Sequence, residues 1–132
     1  MGERYRELCK RAAEACDNAY TPYSHYKVGA AVLWESGIIT SGSNVENASY
    51  GLTVCAERNA IFAGACLGER KICAVAVAVP ADNIPSPCGA CRQVIREFAE
   101  DCDILLINGK GQSKKTTLGE LLPDSFGAHN LN

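Results

Sequence analysis

Three cysteines and one glutamate constrain this chain more than any other feature. Cys55-Ala56-Glu57 and Pro87-Cys88-Gly89-Ala90-Cys91 each stand at the start of a segment with helical periodicity. Three thiolates form a ligand set suited to zinc, and three protein ligands leave a fourth position open for water. A nearby carboxylate that does not bind the metal can move protons for that water. Glu57 stands beside Cys55 in that role. The placement at helix starts also matters, because helix N-termini carry partial positive charge and lower thiol pKa values. Three thiolates on one divalent ion leave a negative centre. Two helix ends and the cation of Arg58 offset it, which gives Arg58 a use as a partner to a thiolate.

Other readings compete with this one. Cys88-Gly89-Ala90-Cys91 alone suits a thioredoxin-like redox pair. Such a pair has no need of Cys55-Ala56-Glu57 at a second helix start. A purely structural zinc knot needs a fourth protein ligand. His25 and His129 are the available histidines, and neither lies in a ligand-spaced pair. Cys9, Cys16, Cys66, Cys73 and Cys102 sit among apolar or small residues and read as buried core. Tyr23, Tyr26 and Trp34 read by default as core aromatics, and Glu57 without its neighbour would read as a surface residue.

The rest of the chain gives the frame. Tyr5, Leu8, Cys9, Ala12, Ala15, Cys16 and Ala19 recur at helical spacing, so a first helix is expected to run up to Thr21-Pro22. Residues 27–34 and 38–43 read as a hairpin around Glu35-Ser36-Gly37. Residues 44–53 read as a loop and 55–67 as a second helix ended by Gly68. The apolar run 72–79 suits a central strand covered on both faces. Ser86 reads as an N-cap, with Pro87 at the first position of a third helix. Residues 104–107 and 112–117 read as two strands joined by Asn108-Gly109-Lys110-Gly111, and 118–122 as a short helix. The order α-β-β-α-β-α-β-β implies one sheet with helices on both faces.

At 132 residues, 47% of them hydrophobic, the chain suits one domain, residues 1–132, with one core. Its net charge of −2 gives no broad attraction for a polyanion, so neither nucleic acid nor a membrane surface is an expected partner. Lys110, Lys114 and Lys115 are the only basic cluster and read as a solvated turn. The start, Met1 to Arg6, is charged and lacks the apolar stretch of an export signal. Cytoplasmic residence is therefore expected, with the eight cysteines reduced.

The chain resembles the small, Cys-type cytidine deaminases of nucleoside salvage. The matching stretches are Pro22-Tyr23-Ser24 through Val28-Gly29-Ala30-Ala31, then Asn44-Val45-Glu46-Asn47-Ala48. They continue with Cys55-Ala56-Glu57-Arg58, Ser86-Pro87-Cys88-Gly89-Ala90-Cys91-Arg92-Gln93-Val94, and Leu121-Leu122-Pro123 with Phe126. The zinc motif marks only the wider superfamily of zinc deaminases, while Asn44-Val45-Glu46-Asn47 narrows the resemblance to nucleosides. The resemblance implies an α/β chain of three layers, α/β/α, around a five-stranded mixed sheet. It implies a homotetramer and one zinc per chain on Cys55, Cys88 and Cys91, with Glu57 as proton shuttle. Asn44 and Glu46 would hold ribose hydroxyls, and the Ala56 backbone with Glu57 would hold the base. Tyr26 would lie near the substrate ring, and Tyr50 and Phe126 would reach a neighbouring subunit's site.

The implied reaction is hydrolytic deamination of cytidine and 2′-deoxycytidine to uridine and 2′-deoxyuridine, with release of ammonia. Tyr26 departs from the Phe that the family often carries there. The residues agree on the substrate class, because a carboxylate at Glu46 accepts from sugar hydroxyls and repels a nucleotide phosphate. Blasticidin-type deaminases share the zinc motif and are the alternative, together with a non-catalytic zinc module.

Overall fold

Five strands form one mixed sheet, in the order β2-β1-β3-β4-β5. The computed structural model describes residues 2–131; Met1, part of the charged start discussed above, lies outside them, as does Asn132. The strands are β1 Gly29–Trp34, β2 Ile39–Ser43, β3 Ile72–Ala78, β4 Asp103–Ile107 and β5 Ser113–Thr117. The helices are α1 Glu3–Ala15, α2 Ala56–Cys66, α3 Gly89–Phe98 and the short α4 Leu118–Leu121. β1 and β2 form the expected hairpin, and β1 also pairs antiparallel with β3. β3 and β4 run parallel, joined through α3, and β5 returns antiparallel to β4.

The sheet is covered on both faces. Leu8 and Ala12 of α1 pack with Ala31, Leu33, Ala74, Ala76 and Leu105 on one side. On the other, Ala60 and Ile61 of α2 and Ile95 of α3 pack with Val32, Trp34, Val75, Val77 and Ile104. This is the three-layer α/β/α arrangement. β1 is buried along its whole length, as a strand between two helical layers must be.

α2 is seated on the sheet at unusually short range, which fixes where its N-terminus points. A Cβ added at Gly42 of β2 would stand 2.4 Å from Ala60 N, and one at Gly64 of α2 would stand 2.2 Å from Trp34 Cε2. Neither position has room for a side chain. Trp34 is anchored by its own indole N–H, which donates to Thr40 Oγ1 at 2.9 Å; that hydroxyl donates to Ala60 O at 2.8 Å.

Three expectations need correction. α1 ends at Ala15 and passes into a single 3-10 turn, Cys16–Asn18. The chain then turns extended because Tyr20 N–H donates to Asn44 O and Tyr20 O accepts from Glu46 N–H, both at 2.9 Å. The cap of α3 is Cys88, two residues later than expected; the Ser86 hydroxyl instead accepts from Arg92. Among the cysteines, Cys16 and Cys102 are buried, but Cys66 and Cys73 are exposed. Cys66 is the last residue of α2. Cys73 falls where the register between β1 and β3 slips, with Trp34 opposite Ile72 and Leu33 opposite Ala74.

Candidate metal centre and nucleoside pocket

α2 and α3 bring their N-termini together at the three cysteines. Cys55 is the N-cap of α2, and Cys88 is the N-cap of α3. Neither side chain makes a capping hydrogen bond, so both sulfurs remain available as ligands. Cys91 lies in the first turn of α3 and is fully buried. The three sulfur atoms all lie within 4.8 Å of one another, and Cys55 Sγ is 3.9 Å from Cys88 Sγ. Tetrahedral ligands at the usual zinc–sulfur distance of about 2.3 Å stand roughly 3.8 Å apart. Among the described residues this is the one group of three or more Cys, His or carboxylate ligands gathered at a point.

The charges fit a cation. Hydrogen bonds from Cys91 and from Arg58 hold the Cys55 thiol far down, at about 5. Cys91 is pushed the other way, first by sharing its proton with Cys55, then by burial and by the charge of Glu57. The Cys55 thiolate is thus stable alone, while ionising Cys91 beside it calls for a positive ion between them. Arg58 Nη2 lies 3.5 Å from both Cys55 Sγ and Thr53 O. Its Nε is buried without a partner. Soft donors, short spacing and the demand for positive charge together suit zinc.

Glu57 lies in the first turn of α2 and is 4% exposed, so its carboxyl belongs to the interior. Burial raises its pKa to about 7. A divalent cation beside it would pull that value down, toward the ionised form that accepts a proton.

Above this centre is a cavity of about 330 Å³. Cys55, Ala56, Glu57 and Cys88 lie on its lining, with Asn44, Glu46 and Tyr26. Asn44 is buried and braced: its Oδ1 accepts from Val28 N–H and its Nδ2 donates to Tyr26 O, both at 2.9 Å. Glu46 Oε1 accepts from Tyr23 N–H at 3.0 Å and Ser24 N–H at 3.1 Å, and Oε2 accepts from the Ser24 hydroxyl. The Ser24 hydroxyl, with these backbone donors, holds the Glu46 carboxyl below its usual range and therefore ionised. Both side chains keep a free donor or acceptor for a ligand. A larger hollow of about 650 Å³ lies by α1 and β5, lined by Arg4, Tyr5, Leu105 and Lys114. It gathers no such chemistry.

The cavity thus unites seven of the residues singled out in the sequence, with Cys91 in the buried sulfur cluster. Tyr50 and Phe126 are not among its lining residues and are 74% and 59% exposed. Tyr50 packs edge-on to Tyr23, with ring centroids 5.9 Å apart. Of the three aromatics read as core, only Trp34 is buried; Tyr26 stands on the rim of the cavity and Tyr23 lies beside Tyr50 outside it, exposed by 40% and 46%. They precede β1, where no strand alternation directs a side chain inward. Sequence reasoning gave no role to Ser24, which grips Glu46, or to Asn83, whose amide donates to Tyr26 Oη at 3.1 Å. Ser24 at least lay in a recognisable stretch, whereas Asn83 carried no signal.

Three thiols at two helix N-termini, with a buried carboxyl beside them under an open cavity, define a zinc-dependent hydrolytic centre. Residues 3–105 match the family described as the cytidine and deoxycytidylate deaminase zinc-binding region. The chain is 45% identical to the cytidine deaminase of Halalkalibacterium halodurans over 95% of its length and 96% of that protein. It is 42% identical to that of Mycobacterium tuberculosis, over 91% of this chain and 87% of the other. The crystal structure of cytidine deaminase from Burkholderia pseudomallei superposes with a TM-score of 0.88 at 43% identity, covering 96% of this chain and all (100%) of that one. The chain belongs to the cytidine deaminase family.

Proposed function

We propose that residues 1–132 form a single catalytic domain that hydrolyses cytidine and 2′-deoxycytidine to uridine and 2′-deoxyuridine with release of ammonia. Zinc-dependent deamination of cytidine follows from the family together with the three-cysteine cluster. The observation that carries the residue assignments is the gathering of three thiols, two of them with the buried Glu57 on the lining of the cavity that Asn44 and Glu46 also line.

In this reading Cys55, Cys88 and Cys91 hold the metal, and Arg58 offsets their charge. Zinc bound there supplies a Lewis acid that lowers the pKa of a water toward about 7. Glu57 moves the protons. Adding water across the N3–C4 bond of cytosine requires a proton at N3, and expelling ammonia requires one at the amino nitrogen. Glu57 takes a proton from the water and gives it to N3 as the water oxygen bonds to C4. It then takes the remaining proton from the C4 hydroxyl and gives it to the amino nitrogen, so that the C4–N bond breaks, ammonia leaves and a C4 carbonyl remains. The Ala56 backbone and Glu57 orient the base, and Tyr26 lies beside its ring. Asn44 and the ionised Glu46 take the ribose hydroxyls. Both substrates carry the 3′-hydroxyl, so both are accepted, whereas a 5′-phosphate meets the repulsion of Glu46.

The same reading makes the protein a cytoplasmic homotetramer of pyrimidine salvage, with Tyr50 and Phe126 completing a neighbour's site. Exposure of both rings outside their own cavity supports this. Among the described residues no helix is long and apolar enough to cross a membrane.

The test is ammonia release by the purified protein from cytidine, deoxycytidine and cytidine monophosphate, with and without a zinc chelator. Chelator-sensitive release from the two nucleosides is expected, with kcat/KM for the monophosphate far lower. Equal kcat/KM for cytidine and its monophosphate, or turnover indifferent to zinc removal, would sink the assignment.

A further inference from the structure

Of the three cysteines, Cys88 has the least secure footing. Cys55 follows Val54, which pairs with Val45, and Cys91 lies inside a helix. Cys88 is exposed and ends an irregular segment. Among the described residues, no main-chain to main-chain hydrogen bond joins residues 83–87 to the rest of the chain. Pro85 and Pro87 have no N–H to give. Both proline rings are buried and help seat the segment, but the hydrogen bonds that hold Ser86 and Pro87 ahead of Cys88 come from a side chain.

That side chain is Arg92, one turn further along α3. Its Nε donates to Pro87 O at 2.8 Å, and its Nη2 donates to Ser86 Oγ at 3.0 Å. Its Nη1 donates to Leu121 O at 2.7 Å. α4, which Leu121 ends, is itself anchored through Leu118, 1% exposed in the core. The guanidinium is therefore braced from behind by a fixed carbonyl and holds the approach to Cys88 in front. Among the described residues Arg92 makes no ion pair with a carboxylate. Its position in the first turns of a helix is unfavourable for a cation. A lone charge would be better placed elsewhere, but a rigid planar fork that spans three acceptors has no substitute among the amino acids.

We propose that Arg92 is the positioning residue for the Cys88 ligand, clamping Ser86 and Pro87 against α4 so that the Cys88 sulfur is held at the distance zinc requires. The proposal rests on reading Cys88 as a zinc ligand. It assigns Arg92 a role in metal retention that is separate from the charge compensation by Arg58. Because geometry and not charge carries it, lysine does not replace arginine.

The experiment loads wild type, Arg92→Ala, Arg92→Lys, Ser86→Ala and Cys88→Ala with zinc. It then follows zinc transfer to a chromophoric chelator and records thermal melting of each apoprotein. Partners that orient a ligand are worth about 10- to 100-fold in metal affinity. Arg92→Ala and Arg92→Lys are expected to release zinc faster by about that factor, with Ser86→Ala shifted less in the same direction. Apoprotein melting should move far less than release. Wild-type release from Arg92→Lys overturns the proposal, as does a loss of apoprotein stability with release unchanged. If Arg92→Ala fails to fold, the lysine and Ser86 variants decide alone. Cys88→Ala separates the two failures. Zinc retained by that variant removes Cys88 from the ligand set, whereas zinc lost by it but held normally by the Arg92 variants removes only the role of Arg92.

Discussion

The amide of Asn83 and the hydroxyl of Tyr26, 57 residues apart, meet at 3.1 Å on the rim of the cavity. A phenylalanine at position 26 would keep the ring and lose this bond. Such hydrogen bonds contribute about 0.5–1.5 kcal/mol net. Tyr26→Phe and Asn83→Ala should therefore each raise the KM for cytidine by no more than about tenfold, with kcat and zinc content kept. The double variant should be no worse than either single one, because both remove the same contact. Steady-state kinetics on the four proteins measure this; fully additive effects would show that the two residues act separately.

Glu57→Gln should keep the fold and the zinc and lose nearly all turnover. The amide is nearly the same size, and the site is already suited to an uncharged group, since burial raises the carboxyl's pKa to about 7. One general acid–base group is commonly worth about 10²- to 10⁴-fold. In the proposed role Glu57 would serve more than one transfer, so the loss should reach the upper end. Metal analysis and kcat together test it; a variant above about a tenth of wild-type kcat lies outside that range and excludes the role.

Phe126 offers a test of assembly. Its carbonyl accepts from Gln93 Nε2 at 2.9 Å, so the segment is tethered to α3 while the ring stays exposed. If the ring stacks on a neighbour's base, Phe126→Ala should cost about 1–3 kcal/mol, as such stacking does elsewhere. Co-expressed Phe126→Ala and Glu57→Gln chains should then be more active than the sum of the two variants alone, since mixed oligomers rebuild some whole sites. No gain in oligomers shown to be mixed would place Phe126 within its own chain's function or outside function altogether.

Tyr5 links stability to alkaline pH. Its hydroxyl donates to Asp103 Oδ2 at 2.6 Å. Burial and then this carboxylate raise its pKa to about 12, against about 10 in the unfolded chain. A folded value above the unfolded one gives stabilisation that is fully present below about pH 10 and lost as pH rises through about 12. Tyr5→Phe should cost about 1 kcal/mol near neutrality. The gap between wild type and variant should narrow only above about pH 10. Urea unfolding across that range checks it; a gap closing near neutrality would assign the effect to another group.

Much of the site could be read from the chain because its key parts are short. Cys55 and Glu57, or Cys88 and Cys91, owe their proximity to one helical turn, and spacing alone reveals it. The hairpin, the central strand β3 and the sequence of helices and strands were legible for the same reason. What stayed hidden depends on distant parts meeting. The end of α1 is set by Tyr20 pairing with Asn44 and Glu46. The cap of α3 moves to Cys88 because Arg92 occupies the Ser86 hydroxyl. Tyr23 and Tyr26 carry apolar rings, and composition sends such rings inward; only the course of the chain before β1 leaves them exposed.

The contact of α2 with β2 and Trp34 divides the protein into a part that can vary and a part that cannot. With no room for even a methyl group at Gly42 or Gly64, α2 cannot slide or tilt, and the Cys55 and Glu57 it carries inherit that fixity. The rim is built otherwise, from exposed Tyr26, Asn83 and Ile84 on irregular chain. Substitutions that retune which nucleoside enters will therefore accumulate at the mouth of the cavity, while the chemistry beneath it stays as the helix sets it.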